Sequence, residues 1–295
     1  MYHRFGESKY PSTNITVDQL ESHLNYLKDQ GFEFIFARDL LIPESLKFKT
    51  ISITVDDAYL SFYEVGLPVF EKYNIPVTLF LNTENVGGNN YMSWLQLRDA
   101  FTRGVDIQNH THSHSSLPKL NEEEIIDEIE KSQNLINKNL GITPHLFAYP
   151  FGETSSLVQS IVAKYFDAAF GQHSGAFSID QRYYIPRFPL NENYSSIDRI
   201  QDASRALPFE NISFEPRDPF LSITSKRFVL DNADGVQGIN CYISDFQGSF
   251  KQKITTLQNK LLIELDRLPV PGRLRFNCTK VDKGIYWFGY QYLVN

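Results

Sequence analysis

The stretch TISITVDDAY, residues 50–59, joins a short apolar run to two adjacent aspartates. The run TISIT (50–54) is rich in β-branched residues and predicts a buried strand. Asp56 and Asp57 follow where the chain leaves that strand, and active sites of parallel α/β folds collect at the carboxyl ends of strands. Taken alone, the pair also fits an Asx turn or a helix N-cap, so its partners decide the interpretation.

Similar apolar runs alternate with amphipathic stretches until about residue 200. One helix is predicted to begin after Thr16 and to stop at Gly31, and another to begin after Asn121 and to end at Gly141. This alternation is typical of parallel strands joined by helices. The strand candidates are residues 33–36, 50–54, 76–81, 105–108, 146–149 and 168–170.

The sequence changes character after about residue 205. Short runs of alternating polarity separated by turn residues predict an all-β module, a small sandwich, with residues 208–219 as a linker before it. Strand alternation is expected to bury about half of the rings in YWFGYQY (286–292) in the sheet core. Cys241 and Cys278 both lie in this module, and a disulfide between them is one possibility.

Composition and charge exclude some partners. The 295 residues suffice for one large α/β domain and a smaller companion. The formal net charge is −7 and no window clusters Lys and Arg, so we expect no nucleic acid partner. No apolar run reaches the roughly 18 residues of a membrane span, and the N-terminus lacks the pattern of a signal peptide.

A second polar cluster follows the predicted strand at 105–108. The segment NHTHSHSSL (109–117) carries His110, His112 and His114. On a strand all three rings would share one face, whereas on a helical turn only His110 and His114 would do so. These two with a carboxylate from a neighbouring strand match a two-histidine, one-carboxylate metal site, which suits Zn²⁺ and leaves positions open for water and substrate.

Three motifs together resemble a known family. TVDDAY, NHTHSH and FAYPFG occur in the order and spacing of the first three motifs of the NodB-homology polysaccharide deacetylases, carbohydrate esterase family 4. The likeness is greatest to the branch of the poly-N-acetylglucosamine deacetylases. It implies a distorted (β/α) barrel over residues 1–207 as the catalytic domain. Residues 208–295 would form a separate β domain, whose role the sequence does not indicate. It also favours an extracytoplasmic location, with the export signal absent from this chain.

The resemblance assigns roles to the residues that match its motifs. Asp56 would be the general base, and Asp57, His110 and His114 would hold the metal. The backbone N–H of Phe151 would be an oxyanion donor. His112 would then point away from the metal and pack or hydrogen-bond behind the site.

Other assignments rest on departures from the family pattern. Ala148 stands where the family usually has an arginine that orients the catalytic aspartate, and Arg187 is the candidate replacement; it could equally form a structural ion pair. The later family motifs are not recognisable, so His173 is the candidate for protonating the leaving amine. Tyr149 and Trp94 are candidate substrate contacts, with packing as the alternative for Trp94.

The leading hypothesis is therefore a metal-dependent hydrolase that removes N-acetyl groups from an amino-sugar polysaccharide or oligosaccharide. The expected cofactor is Zn²⁺, with Co²⁺, Ni²⁺ or Mn²⁺ as alternatives, and the expected partner is an acetylated glycan. An O-acetyl esterase would use the same residues. A non-catalytic carbohydrate-binding protein on a deacetylase fold is the alternative from another class, although a binder has no need of a base beside a metal ligand.

Overall fold

The computed structural model describes residues 1–47, 49–222, 225–232 and 234–295. Two short strands, β1 (Arg4–Phe5) and β2 (Asn14–Ile15), pair in parallel near the N-terminus. They precede a six-stranded parallel sheet in which the strands lie in chain order. Its members are β3 (Glu33–Ile35), β4 (Thr50–Asp56), β5 (Val77–Leu81), β6 (Asp106–Asn109), β7 (Leu146–Ala148) and β8 (Ala168–Phe170). All six strand predictions are confirmed.

Helices connect these strands, as expected for parallel pairing. The helices are α1 (Val17–Asp29), α2 (Leu67–Lys72), α3 (Trp94–Thr102), α4 (Glu122–Leu140), α5 (Ser156–Val162) and α6 (Ile197–Arg205). Thr16 and Asn121 each close a capping box, and Gly141 ends α4 in the left-handed conformation. The caps read from the sequence are therefore present, and apolar helix faces pack on the sheet around buried Leu24 and Leu79.

The C-terminal part consists of two facing sheets. One has the order β10, β12, β16, β15 and the other has the order β11, β18, β17, β13, β14, with β9 also paired to β18. The strands are β9 (Ala206–Leu207), β10 (Ile212–Glu215), β11 (Phe220–Leu221), β12 (Arg227–Asn232), β13 (Asn240–Asp245), β14 (Gly248–Ser249), β15 (Gln252–Leu257), β16 (Lys260–Leu265), β17 (Gly272–Val281) and β18 (Ile285–Val294). Residues from both sheets share one apolar core. The predicted fold class, an α/β domain of parallel strands joined by helices and followed by an all-β region, is confirmed.

One organisational prediction is wrong. Residues 208–219 are not a plain linker, because Ile212–Glu215 forms β10 and pairs with β12. Phe214 is buried at the centre of the sandwich, where its ring contacts Phe276 and Phe288. The polar residues and prolines around this short alternating segment hide it in the sequence. The proposed domain boundary at 207/208 stays a prediction, although β9 already pairs with β18 just before it.

A disulfide joins Cys241 to Cys278. The two residues lie directly opposite each other on β13 and β17, so the bond links neighbouring strands of one sheet. The rings of YWFGYQY divide by alternation: Phe288, Tyr290 and Tyr292 face the sandwich core, whereas Trp287 lies on the opposite face of β18 and lines a cleft.

The β module packs closely against the first domain through β18. The amide of Ala176 donates to the carbonyl of Trp287 at 3.1 Å. A Cβ atom added to Gly289 would lie 1.6 Å from the carbonyl oxygen of Ser174, so only glycine fits at this contact. The hydroxyl of Tyr184 donates to the carbonyl of Gln291 at 2.8 Å. These contacts bring one sheet of the module to the rim where the parallel strands end.

Among the described residues, none forms a helix long and apolar enough to cross a membrane. The core of the first domain is instead distributed over several short helices, each of which buries one face on the sheet.

The contact at Gly289 gives a stability prediction. Gly289→Ala is expected to lower the free energy of unfolding by about 1–3 kcal/mol, because the backbone of Ser174 must move to admit a methyl group. Gly284→Ala is the matched control, since its Cβ would meet only the flexible side chain of Leu207. Chemical denaturation of the two variants measures the difference, and equal stabilities would contradict the close packing described here.

Candidate metal centre and active site

The aspartate pair and the histidine cluster meet because both flank the same strand. The amide of Asp57, just after β4, donates to the carbonyl of Phe80 on β5 at 3.0 Å. The amide of His110, just after β6, donates to the carbonyl of Leu81 on β5 at 3.0 Å. The carboxyl ends of β4 and β6 are thereby held at one edge of the sheet, as the sequence predicted.

Asp57, His110 and His114 form a compact group of possible metal ligands. Their donor atoms all lie within 4.8 Å of one another. Oδ1 of Asp57 is 3.5 Å from Nε2 of His110 and 3.4 Å from Nε2 of His114. Ligands about 2.0–2.1 Å from a tetrahedral Zn²⁺ are separated by about 3.3–3.4 Å. The three donors therefore fit a single divalent cation with little rearrangement, and the chemistry of two imidazoles and a carboxylate suits such an ion.

Second contacts orient these ligands. Nδ1 of His110 lies 2.7 Å from the carbonyl oxygen of Ala148, so it carries the proton and leaves Nε2 as the free donor. The side-chain Nδ2 of Asn82 donates to Oδ1 of Asp57 at 3.2 Å. The hydroxyl of Thr111 accepts from the backbone N–H of His114 at 3.1 Å. The side chains of His110 and Asp57 are thereby oriented directly, whereas His114 is positioned through the backbone of its loop.

Backbone conformation also aims the ligands. Positive φ angles occur at Asp57 (76°), Thr111 (69°), His114 (60°) and Phe151 (59°). Such angles disfavour residues other than glycine and are tolerated where the surrounding structure imposes them. These residues lie at the ends of β4, β6 and β7. The backbone conformation that aims the ligands at this rim is therefore strained.

The electrostatics keep the carboxylates ionised. Burial alone would raise the pKa of Asp57, but the adjacent imidazole of His110, with His3 and His114 nearby, holds that pKa well below its usual range. Burial, and then the proximity of His110, lowers the pKa of His114 to about 4. An ionised carboxylate beside a neutral imidazole is the protonation state that metal ligation requires.

Asp56 points to a different partner. Nη1 and Nη2 of Arg187 each lie 2.7 Å from one of its two oxygens, and both side chains are buried. Arg187 also donates to the hydroxyl of Thr54 at 3.2 Å and, through Nε, to the carbonyl of Gly171 at 2.8 Å. Burial alone would raise the pKa of Asp56, but the guanidinium of Arg187 outweighs it and holds that pKa below its usual value. The adjacent aspartates thus have separate surroundings.

Phe151 lies beside the ligand group on the turn after β7. Its ring is 41% exposed and contacts the ring of His114 edge-on at 4.5 Å between centroids. The carbonyl oxygens of Phe151 and Gly152 both accept from Nε2 of Gln291 at 3.1 Å. Gln291 lies on β18 and is 1% exposed, so the β module supports this turn from behind. Sequence reasoning missed Gln291, because nothing in its local pattern distinguishes it from a polar strand residue.

The predicted proton donor has an unusual environment. His173 lines the same cleft as the ligand group but is only 2% exposed, and neither ring nitrogen has a hydrogen-bond partner among the described residues. Burial, and then the charge of Arg187, lowers its pKa to about 3. His3 also lines the cleft. Burial lowers the pKa of His3, and the nearby carboxylates of Asp57 and Asp56 offset only part of this effect. Both rings are therefore neutral at neutral pH.

The two predicted substrate contacts lie elsewhere. Tyr149 is 1% exposed, packs against Phe147 and Tyr184, and donates its hydroxyl proton to the carbonyl of Tyr183 at 2.8 Å. This position corrects the expectation for Tyr149: its side chain is part of the core beneath the site. Trp94 begins α3 and packs against the main apolar core, which is the packing alternative left open for it.

His112 turns away from the ligand group, as predicted. Its Nδ1 shares a hydrogen bond with the hydroxyl of Thr83 at 2.9 Å, and its backbone N–H donates to Glu128 at 3.1 Å. The three histidines are therefore inequivalent: two face one point, and the third stabilises the loop behind them.

Known proteins resemble this chain in sequence and in fold. Residues 44–166 match the family described as polysaccharide deacetylase. A poly-beta-1,6-N-acetyl-D-glucosamine N-deacetylase of Staphylococcus epidermidis is 29% identical over 164 residues, which are 50% of this chain and 57% of that protein. The enzyme of the same name from Staphylococcus aureus is 27% identical over 215 residues, which are 64% of this chain and 72% of that protein.

Two solved structures have the same fold. The Streptococcus pyogenes deacetylase PplD in complex with acetate superposes with a TM-score of 0.63 at 22% identity, covering 69% of this chain and 96% of that one. IcaB from Ammonifex degensii superposes with a TM-score of 0.58 at 22% identity, covering 70% of this chain and 95% of that one. The motifs at the ends of β4, β6 and β7 lie within residues 44–166, so this part of the chain matches the polysaccharide deacetylase family in sequence, and the two solved structures share its fold.

Proposed function

We propose that this chain is a metal-dependent deacetylase that removes N-acetyl groups from an amino-sugar glycan. The observation that carries the proposal is the division of labour between adjacent aspartates. Asp57 joins His110 and His114 as a ligand group, while Asp56 is held ionised by Arg187 beside that group. The names of the staphylococcal relatives support a glycan of N-acetylglucosamine as the acetylated substrate.

The donor set favours Zn²⁺, since two imidazole nitrogens and one carboxylate oxygen leave an open position on a tetrahedral ion. Bound there, the cation would polarise the acetamide carbonyl and lower the pKa of a water molecule. We expect Asp57, His110 and His114 to hold it, with Co²⁺, Ni²⁺ or Mn²⁺ as possible substitutes.

The protein's own groups supply the remaining chemistry. Asp56 would accept the proton from the water that attacks the acetamide carbon, because it is ionised and has no proton of its own to lose. The backbone N–H of Phe151 would stabilise negative charge on the carbonyl oxygen. The C–N bond then breaks, acetate leaves, and the amine takes up a proton.

The source of that last proton is assigned to His173, as the sequence suggested. Its neutral ring must first gain a proton within the cleft, since its pKa of about 3 excludes a resting imidazolium at neutral pH. His3 is the second candidate, because Asp57 and Asp56 both act on its pKa.

The disulfide supports an extracytoplasmic location. Disulfides persist in oxidising compartments and are rare in the cytosol, so the bond between Cys241 and Cys278 favours an envelope or secreted enzyme. A glycan substrate is consistent with that location.

The function is tested by measuring acetate released from β-1,6-linked N-acetylglucosamine oligosaccharides by the zinc-loaded chain. Asp56→Asn is expected to lower turnover by about 10²–10⁴-fold while the bound metal content stays unchanged, because the base is lost and the ligands remain. Metal content is measured by atomic absorption after dialysis. Unchanged turnover in Asp56→Asn would remove Asp56 from its role as base.

The ligand assignment is tested by separate variants. His110→Ala and His114→Ala are each expected to lose the metal and more than about 100-fold in activity, since loss of a ligand exceeds the cost of losing an outer contact. His112→Phe is the matched control and should retain both, because its ring faces Thr83. Retention of metal by His114→Ala would overturn the ligand set.

Arg187 sets the pH dependence. The pKa of Asp56 is depressed in the folded protein, so the ion pair stabilises the fold above the ordinary aspartate pKa, and this stability is lost as pH falls through the lowered value. Arg187→Met should therefore move the acidic limb of the kcat/KM profile to higher pH and reduce stability by about 3–5 kcal/mol, as expected for a buried charge left unpaired. Arg187→Lys, which keeps a cation, should shift the limb less. An unmoved acidic limb in Arg187→Met would contradict the assignment.

A further inference from the structure

The cleft above the ligand group has a second wall, which the β module provides. The cleft has a volume of about 940 Å³, within the usual range for a ligand site. From the first domain it is lined by Asp56, Asp57, His110 and His114. From the module it is lined by Tyr242 on β13 and by Arg273, Arg275 and Asn277 on β17. Any glycan that reaches Asp56 therefore lies in a space bounded by this sheet.

Alternation on β17 places the arginines on the cleft face. Leu274 and Phe276 point into the sandwich core and are fully buried. Arg273 and Arg275 occupy the intervening positions and are exposed to the cleft. Residues two apart on a strand share a face, so the two guanidinium groups are neighbours.

Among the described residues, these two arginines have no acidic partner. Across the residues that the structure describes, no carboxylate oxygen lies within 4.0 Å of either guanidinium, although Arg267 in the same module pairs with Asp245 at 2.6 Å. The pKa of Arg275 is lowered by its enclosure in the cleft and then by the positive charge of Arg273. Nε of Arg275 donates to Oε1 of Gln291 at 3.3 Å, a neutral partner, so within the described residues two cations without a carboxylate stand side by side in a chain with a net charge of −7.

Neighbouring groups on the same face suit a sugar. Tyr242 is 59% exposed and stands opposite Asn277 on the adjacent strand. Its ring offers a flat surface for a sugar, while Asn277 accepts from Nε1 of Trp287 at 3.1 Å and is thereby held in place. An aromatic surface with a few converging polar groups is the usual composition of a small-ligand site.

We propose that Arg273 and Arg275 form an anion subsite, and that the glycan processed at Asp56 carries carboxylate-bearing sugars beside its acetylated amino sugars. The inference rests on the proposed function and goes beyond it by naming the substrate class. A planar guanidinium matches the two oxygens of a carboxylate, and a hydrogen bond between two charged groups is stronger than one between neutral groups. A glycan of N-acetylglucosamine alone is neutral, and its deacetylated product is cationic. Neither form offers a negative charge to Arg273 and Arg275.

The test uses the full chain with zinc bound and the Asp56→Asn substitution, which prevents turnover during the measurement. The ligands are an oligosaccharide of alternating N-acetylglucosamine and glucuronate and the same oligosaccharide with its carboxylates reduced to alcohols. Calorimetric titration is expected to show at least about ten-fold tighter binding of the acidic form, the effect of one charge-assisted hydrogen bond. Raising the salt concentration should weaken only that form.

Variants on this background locate the effect. Arg273→Gln should abolish most of the preference for the acidic form, and it leaves the hydrogen bond between Arg275 and Gln291 in place. Arg273→Lys should restore part of it. Arg227→Gln is the matched control, because it removes an exposed arginine from β12 in the other sheet of the module. Thermal unfolding checks that each variant is folded.

Equal affinity for the two forms, or no binding of the acidic form, overturns the inference. A preference for the acidic form that persists in the double variant Arg273→Gln, Arg275→Gln also overturns the inference. These outcomes are distinct from failure of the proposed function, which would appear as absence of acetate release by the wild-type chain from every N-acetylated glycan. Binding of the acidic form decides the subsite by itself, because it requires no turnover.

Discussion

The guanidinium of Arg187 donates hydrogen bonds to both oxygens of Asp56 at the base of the cleft, and the rest of the site is arranged around this buried pair. A buried carboxylate without a partner would take up a proton rather than stay charged. With Arg187 in place, Asp56 stays ionised without taking a position in the ligand group. Asp57, next in the chain, is free to face His110 and His114, so two adjacent carboxylates avoid competing for one role.

The same pair ties distant parts of the chain together. Arg187 also donates to Thr54 on β4 and to the carbonyl of Gly171 after β8, so one side chain links the strand that carries Asp56 to the far edge of the sheet. Ala148 on β7, where the family usually has its arginine, is fully buried. In this structure Arg187, from a segment after β8, supplies the cation beside Asp56.

The β module extends the site beyond the family domain. Gln291 hydrogen-bonds to the carbonyls of the Phe151 turn from behind, and the sheet that carries it also forms a wall of the cleft. The module is consequently part of the architecture around the ligand group, and not an appendage joined by a flexible tether. Its close contact through Gly289 leaves little freedom for the two parts to separate.

Local patterns were sufficient for the elements and for the ligand group. Strand alternation, capping boxes and helix-stopping glycines act over a few residues, so the parallel strands, α1 and α4 were predicted within narrow limits. The spacing of His110 and His114 behind one strand, and of the aspartates behind another, sufficed because parallel strands deliver their carboxyl ends to one edge.

Tertiary structure decided what depends on contacts between segments far apart in the chain. The sequence proposed Arg187 as a partner for Asp56 but left a structural ion pair equally open, and it had no means to find Gln291 or the arginine pair on β17. It missed β10 within the presumed linker, and it assigned Tyr149 to substrate contact although that side chain is buried. Arg187 and Gln291 contact residues more than a hundred places away in the chain, and β10 is defined by its pairing with β12, so no local periodicity records these features.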